Sequence, residues 1–120
     1  MAVPVYLFTG FLESGKTTLI CNTLLDEGFN DGEKTLLIRC EEGIEEYEER
    51  MLKQTRTTLV TVENEQDLCS DLLVEFDRRY EPDRVMIEFN GMWSVNQFLE
   101  MDMPLDWLLV QILTTIDAQT

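Results

Sequence analysis

The stretch PVYLFTGFLESGKTTLI, Pro4 to Ile20, constrains this chain more than any other. Its first part is a short run rich in Val, Tyr, Leu and Phe, bounded by Gly10, and reads as a buried strand. From Lys16 the spacing changes. Leu19, Ile20, Thr23 and Leu24 recur at helical intervals, and Gly28 is a stop signal. Between strand and helix, Gly10 to Thr17 (GFLESGKT) matches the pattern G-x-x-x-x-G-K-[ST]. A glycine-rich connection that only joins two elements does not require Lys and Thr directly after Gly15. The stretch therefore reads as a loop that cradles phosphates.

The chemistry of such a loop follows from its backbone. Glycines let amide groups approach phosphate oxygens and point inward. The helix that follows adds roughly half a positive charge at its N-terminus. On this reading Gly10, Glu13, Ser14, Gly15, Lys16, Thr17 and Thr18 line a nucleotide's phosphates. Lys16 reaches the β- and γ-phosphates, and the Thr17 hydroxyl ligates Mg²⁺, a cation that favours hard oxygen ligands. Thr18 either packs in the first helical turn or contacts the α-phosphate. Glu13 is the oddity, since like charges 4 Å apart cost about 4 kcal/mol at an effective dielectric of about 20. Its backbone amide is expected to serve the phosphates while its carboxylate faces solvent. The alternative is a side-chain contact to a partner, a switch segment or a metal-bound water.

The remaining chain repeats the alternation of strand and helix. TLLIRC, TTLVTV, RVMIEF and DWLLVQILTTID read as four further strands. Ile44, Tyr47, Met51 and Leu52 mark one face of an acidic helix. Asn64 is a candidate cap for a helix with Leu68, Leu72, Leu73, Phe76 and Tyr80 on its apolar face, ended by Pro82. Ser94 is a candidate cap for a short helix with Val95, Phe98 and Leu99 inward. The strands are mostly continuous apolar runs, which indicates a mostly parallel sheet covered by helices on both faces. The fold class is α/β, a three-layer α/β/α arrangement of P-loop NTPase type, as one domain over residues 1–120. Ligands of such sheets bind at the carboxyl ends of strands.

Two more strand ends carry candidate residues. In CEEG after the second strand, Glu41 either holds Mg²⁺ or its water, or simply opens an acidic helix N-terminus. In EFNG after the fourth, Glu88 suits a contact to metal-bound or attacking water, and the Gly91 amide suits sensing a γ-phosphate. Glu88 follows an apolar run and is costly to bury without a partner. Lys16 and Glu88 are thus the candidate catalytic residues, and Thr17, Glu41 and Glu88 the candidate metal ligands.

Composition removes several alternatives. Twenty-four acidic residues against nine basic ones give a net charge of -15. Duplex binding rests largely on cationic neutralisation of phosphates, so nucleic acid is not an expected partner. No apolar run approaches the ~20 residues a membrane span needs, and no secretory segment is visible. Three cysteines without C-x-x-C spacing, Cys21, Cys40 and Cys69, read as reduced thiols of a cytoplasmic protein, and the isolated Cys40 and Cys69 as buried ones. There is no histidine, hence no His-based triad or imidazole zinc ligand from this chain.

Taken together, VPVYLFTGFLESGKTTLI, CEEG, EFNG and ILTTIDA resemble, in that order, the motifs of the CobW-like proteins of the CobW/HypB/UreG group of P-loop GTPases. The family loop typically reads G-F-L-G-S-G-K-T-T, with Glu13 the one departure in that core. CEEG falls on the family's N-E-F-G, placing Glu41 on its glutamate. EFNG falls on its E-x-x-G, placing Glu88 and Gly91 there. The resemblance implies binding and hydrolysis of GTP with Mg²⁺, and service in metal delivery or cofactor-enzyme maturation through a metalloenzyme or cofactor-enzyme partner. The family's G-C-x-C-C thiolate motif has no counterpart in LVTVENEQDL, which puts metal chaperoning by that route in doubt. The guanine-reading motif, of [NST]-K-x-D type, is expected after IDAQT, so the chain resembles the N-terminal portion of such a domain. An ATP-dependent small-molecule kinase and a nucleotide-gated interaction module without turnover remain the alternatives.

Overall fold

The computed structural model describes residues 2–10, 16–26, 32–40, 47–90 and 92–114, with the backbone alone at 16 and 17. Five strands form one parallel sheet: β1 (Val3–Thr9), β2 (Thr35–Arg39), β3 (Thr57–Thr61), β4 (Arg84–Glu88) and β5 (Trp107–Thr114). Their order across the sheet is β3-β2-β4-β1-β5. Among the described residues four α-helices connect them: α1 (Lys16–Leu25), α2 (Glu49–Gln54), α3 (Ser70–Tyr80) and α4 (Val95–Glu100).

The strand order dictates where the helices lie. The chain moves from β1 to β2 to β3 in one direction across the sheet, then returns to β4 and passes on to β5 in the other. Right-handed crossovers put helices of opposite travel on opposite faces. Packing agrees. Ile20 and Leu24 of α1, Met51 of α2 and Tyr47 ahead of it meet Phe8, Leu37 and Met86 on one face. Leu73 and Phe76 of α3 and Phe98 of α4 meet Val5, Leu7, Leu36, Ile38, Val85 and Ile87 on the other. All five residues of β2 and of β4 are buried, as continuous apolar runs in the middle of a sheet require. This is the expected three-layer arrangement.

The local readings need four corrections. The helix expected from Asn64 is broken. Glu65–Asp67 form a single 3₁₀ turn, and Leu68 and Cys69 are extended before α3 begins at Ser70. Leu68 is buried in the sheet-facing cluster from that extended position, so its helical spacing was fortuitous. Asn64 makes no capping bond and donates from its side chain to Asp67 Oδ2 at 3.2 Å. The acidic helix starts only at Glu49, so Tyr47 packs from the preceding coil, and Ile44 lies outside the described residues. In α4, Ser94 does cap, accepting from the Gln97 amide at 3.2 Å. Leu99, however, is exposed, because a six-residue helix anchored by Phe98 leaves the adjoining position about 100° around the axis.

The fourth difference is at β5, an edge strand. Trp107 is buried and donates from Nε1 to Asp77 Oδ1 of α3 at 2.9 Å, while Leu108, Val110 and Ile112 are exposed. A register shift opposite Val5/Tyr6 pairs Leu109 and Gln111 with those residues and leaves Val110 as the extra residue of a bulge. Residues 115–117, read as the end of that strand, lie outside the described residues. Among the described residues no helix is long and apolar enough to cross a membrane.

One cap is strained. Glu81 ends α3 at φ 44°, ψ 57°, its amide bonded to the Asp77 carbonyl at 3.0 Å. A left-handed conformation costs an L-residue about 1–2 kcal/mol, and glycine's extra unfolded-state entropy costs about 0.5–1. Glu81→Gly is therefore expected to stabilise the fold by up to about 1 kcal/mol. Urea denaturation would register this, and a loss of stability would contradict it.

Candidate functional site

The topology singles out one place on the sheet. The connection leaving β1 crosses toward β2, and the connection leaving β4 crosses toward β5, so these neighbouring strands send their chains to opposite sides. The carboxyl ends of such a pair part to leave a crevice, the usual ligand position of an open parallel sheet. β1 ends at Thr9, directly before Gly10, and β4 ends at Glu88. Phe8 and Glu88 are register partners, so the two candidate segments leave the sheet side by side.

The carboxyl edge there is closely held. The Val62 amide donates to the Arg39 carbonyl at 2.8 Å and the Cys40 amide to the Glu88 carbonyl at 2.9 Å. The Phe89 amide donates to the Phe8 carbonyl at 2.8 Å. The Thr9 and Thr114 hydroxyls bond each other at 2.9 Å. Hydrogen bonds thus run across all five strands at the level where the loops depart. Gly10 has φ 136°, a conformation side-chain-bearing residues rarely adopt, so the first glycine of the loop is a backbone requirement of the exit from β1. Lys16 is the first residue of α1, and α1 runs back against the strands, which brings its N-terminus to this same edge.

Glu88 is fully buried. Alternation along β4 puts it on the face of Met86, and alternation along β2 puts Arg39 on the face of Leu37, both toward α1 and α2. Arg39 and Glu88 are register partners, with Arg39 Nε 3.1 Å from Glu88 Oε1. The Arg39 guanidinium lies over the Tyr47 ring at 5.5 Å from its centroid. A buried Glu88 needs a partner, and the sequence points to a metal-bound or attacking water. One partner the fold supplies is an arginine 49 positions away in the chain. The clue is that β2 and β4, TLLIR and RVMIE, are apolar runs that end on opposite charges.

After β4, Asn90 shapes the turn. Its side-chain oxygen accepts from the Met92 amide at 2.8 Å and its carbonyl from the Trp93 amide at 3.0 Å. Phe89 packs edge-on to Trp93, ring centroids 6.0 Å apart, and against Phe98 at 5.4 Å. Asn90 was not singled out from the sequence, although an Asn just before a glycine is a turn signal.

A family model described as CobW/HypB/UreG, nucleotide-binding domain, matches residues 4–120. The chain belongs to the CobW/HypB/UreG family. No curated protein and no solved structure matches it in the same comparisons. As a nucleotide-binding domain of the CobW/HypB/UreG family, it is of the P-loop GTPase type, and its ligand is a nucleoside triphosphate.

The candidate residues of this CobW/HypB/UreG domain fall into two groups. Gly10 and Glu88 sit at the β1–β4 crevice, and Lys16 and Thr17 open α1. Thr18, in the first turn of α1, is exposed, so its packing role is not supported. Glu13, Ser14, Gly15, Glu41 and Gly91 lie outside the described residues, as do the side chains of Lys16 and Thr17. Among the described residues no three His, Cys, Asp or Glu side chains gather to hold a metal ion. None of the three cysteines is in a disulfide. Cys40 is buried as expected and Cys21 half-buried, but Cys69 is exposed, against the expectation that it is buried.

Proposed function

We propose that this domain binds and hydrolyses GTP with Mg²⁺ at the β1–β4 crevice. The observation that carries the proposal is the adjacency, at the one switch point of the sheet, of the exit into the Gly10–Thr17 loop and the buried Glu88 carboxylate. Gly10 suits a phosphate ligand, since its positive φ turns the backbone where a Cβ would obstruct a close approach. The amides of Glu13, Ser14 and Gly15, the first turn of α1 and the Lys16 ammonium would hold the phosphates. The Thr17 hydroxyl and the carboxylates of Glu88 and Glu41 are oxygen donors of the kind Mg²⁺ takes and would hold it. Mg²⁺, when bound, would supply neutralisation of the phosphate charge. The Gly91 amide would report the presence of the γ-phosphate, and Lys16 and Glu88 would carry the catalytic role. Family membership favours guanine as the base and metal delivery or enzyme maturation in the cytoplasm as the service, through a protein partner.

A nucleotide-gated interaction module with little turnover is the second reading. The Arg39 contact favours it, because Glu88 already has a cation beside it and is less free to act on water. Calorimetric titration with GTP and with ATP, each with Mg²⁺, tests the first reading. Binding of GTP in clear preference to ATP, followed by phosphate release, supports the GTPase. GTP binding without phosphate release supports the module, and absence of binding to either nucleotide overturns both.

A further inference from the structure

The amino edge of the sheet lies at the other end of the strands from the β1–β4 crevice. There β3, β2 and β4 begin side by side, Thr35 being the register partner of both Thr57 and Arg84. A cavity of about 290 Å³ opens at this edge, and Lys34, Lys53 and Arg56 are among the residues that line it. Three of the chain's nine basic side chains thus surround one small space, and among the described residues none of its acids lines it. In a chain of net charge -15 that is a local reversal of sign. Exposed charges more than about 8 Å away are largely screened at physiological ionic strength, so these three cations decide what the cavity attracts.

Hydrogen bonds fix the walls. Thr55 closes α2, its hydroxyl donating to the Met51 carbonyl at 2.8 Å. Arg56 then turns the chain into β3 at φ 53°, a left-handed conformation that glycine adopts more readily. Its carbonyl accepts from the Thr35 amide at 3.1 Å, and its Nη1 donates to the Gly32 carbonyl at 2.7 Å. A guanidinium with five donors is held at the rim in this way. The Thr35 hydroxyl, in the cavity wall, accepts from Arg84 Nε at 2.6 Å and keeps its own proton to donate. Arg84 is buried, a fourth cation behind that hydroxyl. Asp83, beside this edge, accepts from the Lys34 backbone amide at 2.8 Å and is not part of the lining.

We propose that this cavity binds a phosphoryl group, as free phosphate or as the phosphate of a small ester, at a site separate from the nucleotide's. A phosphoryl group concentrates up to two negative charges on three acceptor oxygens. Two ammonium groups acting as point charges, a guanidinium fork and a hydroxyl donor suit that shape. A dicarboxylate spreads the same charge over two separate groups. Five-residue strands at about 3.3 Å per residue put the two edges roughly 15 Å apart, so each has its own amides to report on it.

The test is a titration with inorganic phosphate, followed by backbone amide resonances at constant ionic strength, with glycerol phosphate and succinate as parallel arms. The Thr35, Arg56 and Thr57 amides are expected to shift to saturation, with phosphate or the ester binding about tenfold more tightly than succinate. The double variant Lys34→Ala, Lys53→Ala is expected to weaken that binding about tenfold or more, through the loss of two charge-assisted contacts. Both lysines are exposed, so the fold and the affinity for a GTP analogue are expected to stay unchanged. Should the double variant not fold, Lys53→Gln alone is expected to weaken phosphate binding in the same direction. Tighter binding of the ester than of phosphate assigns the site to a phosphorylated small molecule, and the reverse assigns it to free phosphate. Shifts confined to Gly10 and Thr18, at the opposite edge, overturn the proposal and leave the nucleotide site standing. Shifts that do not saturate, succinate binding as tightly as phosphate, or a variant that binds like the wild type also overturn it.

Discussion

Replacing Lys16 with alanine is expected to lower affinity for a nucleoside triphosphate about 10²- to 10⁴-fold and to leave the fold intact. The estimate comes from two charge-assisted contacts, to the β- and γ-phosphates, at about 1.5–3 kcal/mol each, with 1.4 kcal/mol per tenfold. The fold is spared because α1 is held by Ile20 and Leu24, both fully buried, one and two turns further along. Calorimetry with GTP and Mg²⁺, alongside a thermal melt of the same sample, separates the two effects. Unchanged affinity would remove Lys16 from the phosphates and with it the main support for the loop assignment. Lost affinity with a lowered melting temperature would show that Lys16 acts through the helix and not through the ligand.

How far the sequence carries such expectations differs between parts of the molecule. Strands β2 and β4 were legible because a run of five buried residues has few other uses, and the glycine loop because its spacing has a mechanical reason at each position. The order of strands was not legible. Nothing local in RVMIE says that it inserts between TLLIR and VPVYLFT, yet that insertion creates the switch point at which a ligand would sit. Leu68 shows a related limit. Its spacing fits the helix that follows, but it reaches the core from extended backbone, and periodicity cannot distinguish the two. Glu88 was legible as a residue in need of a partner. The identity of that partner depends on register between strands 49 residues apart, which only the assembled sheet decides.

The same pair sets the second large effect, on stability in the absence of nucleotide. Glu88→Leu is expected to destabilise the fold by about 3–5 kcal/mol, and Arg39→Met by a similar amount, because each takes away the opposite charge that stands beside a buried one. That is a large part of the 5–15 kcal/mol typical of a whole domain. The double variant, with neither charge, is expected to recover most of the loss, since apolar side chains of similar volume often replace a buried ion pair at little cost. Denaturation of the four proteins, free of nucleotide and at one ionic strength, gives the coupling directly. Single-variant losses below about 1 kcal/mol, as for a solvent-screened pair, would contradict the burial of the contact. Additive losses in the double variant would mean that the two residues are held by other neighbours and not by each other. A recovered double variant would show that the charges are not retained for stability. A buried acid at the crevice would then cost the fold little to give up together with the cation beside it.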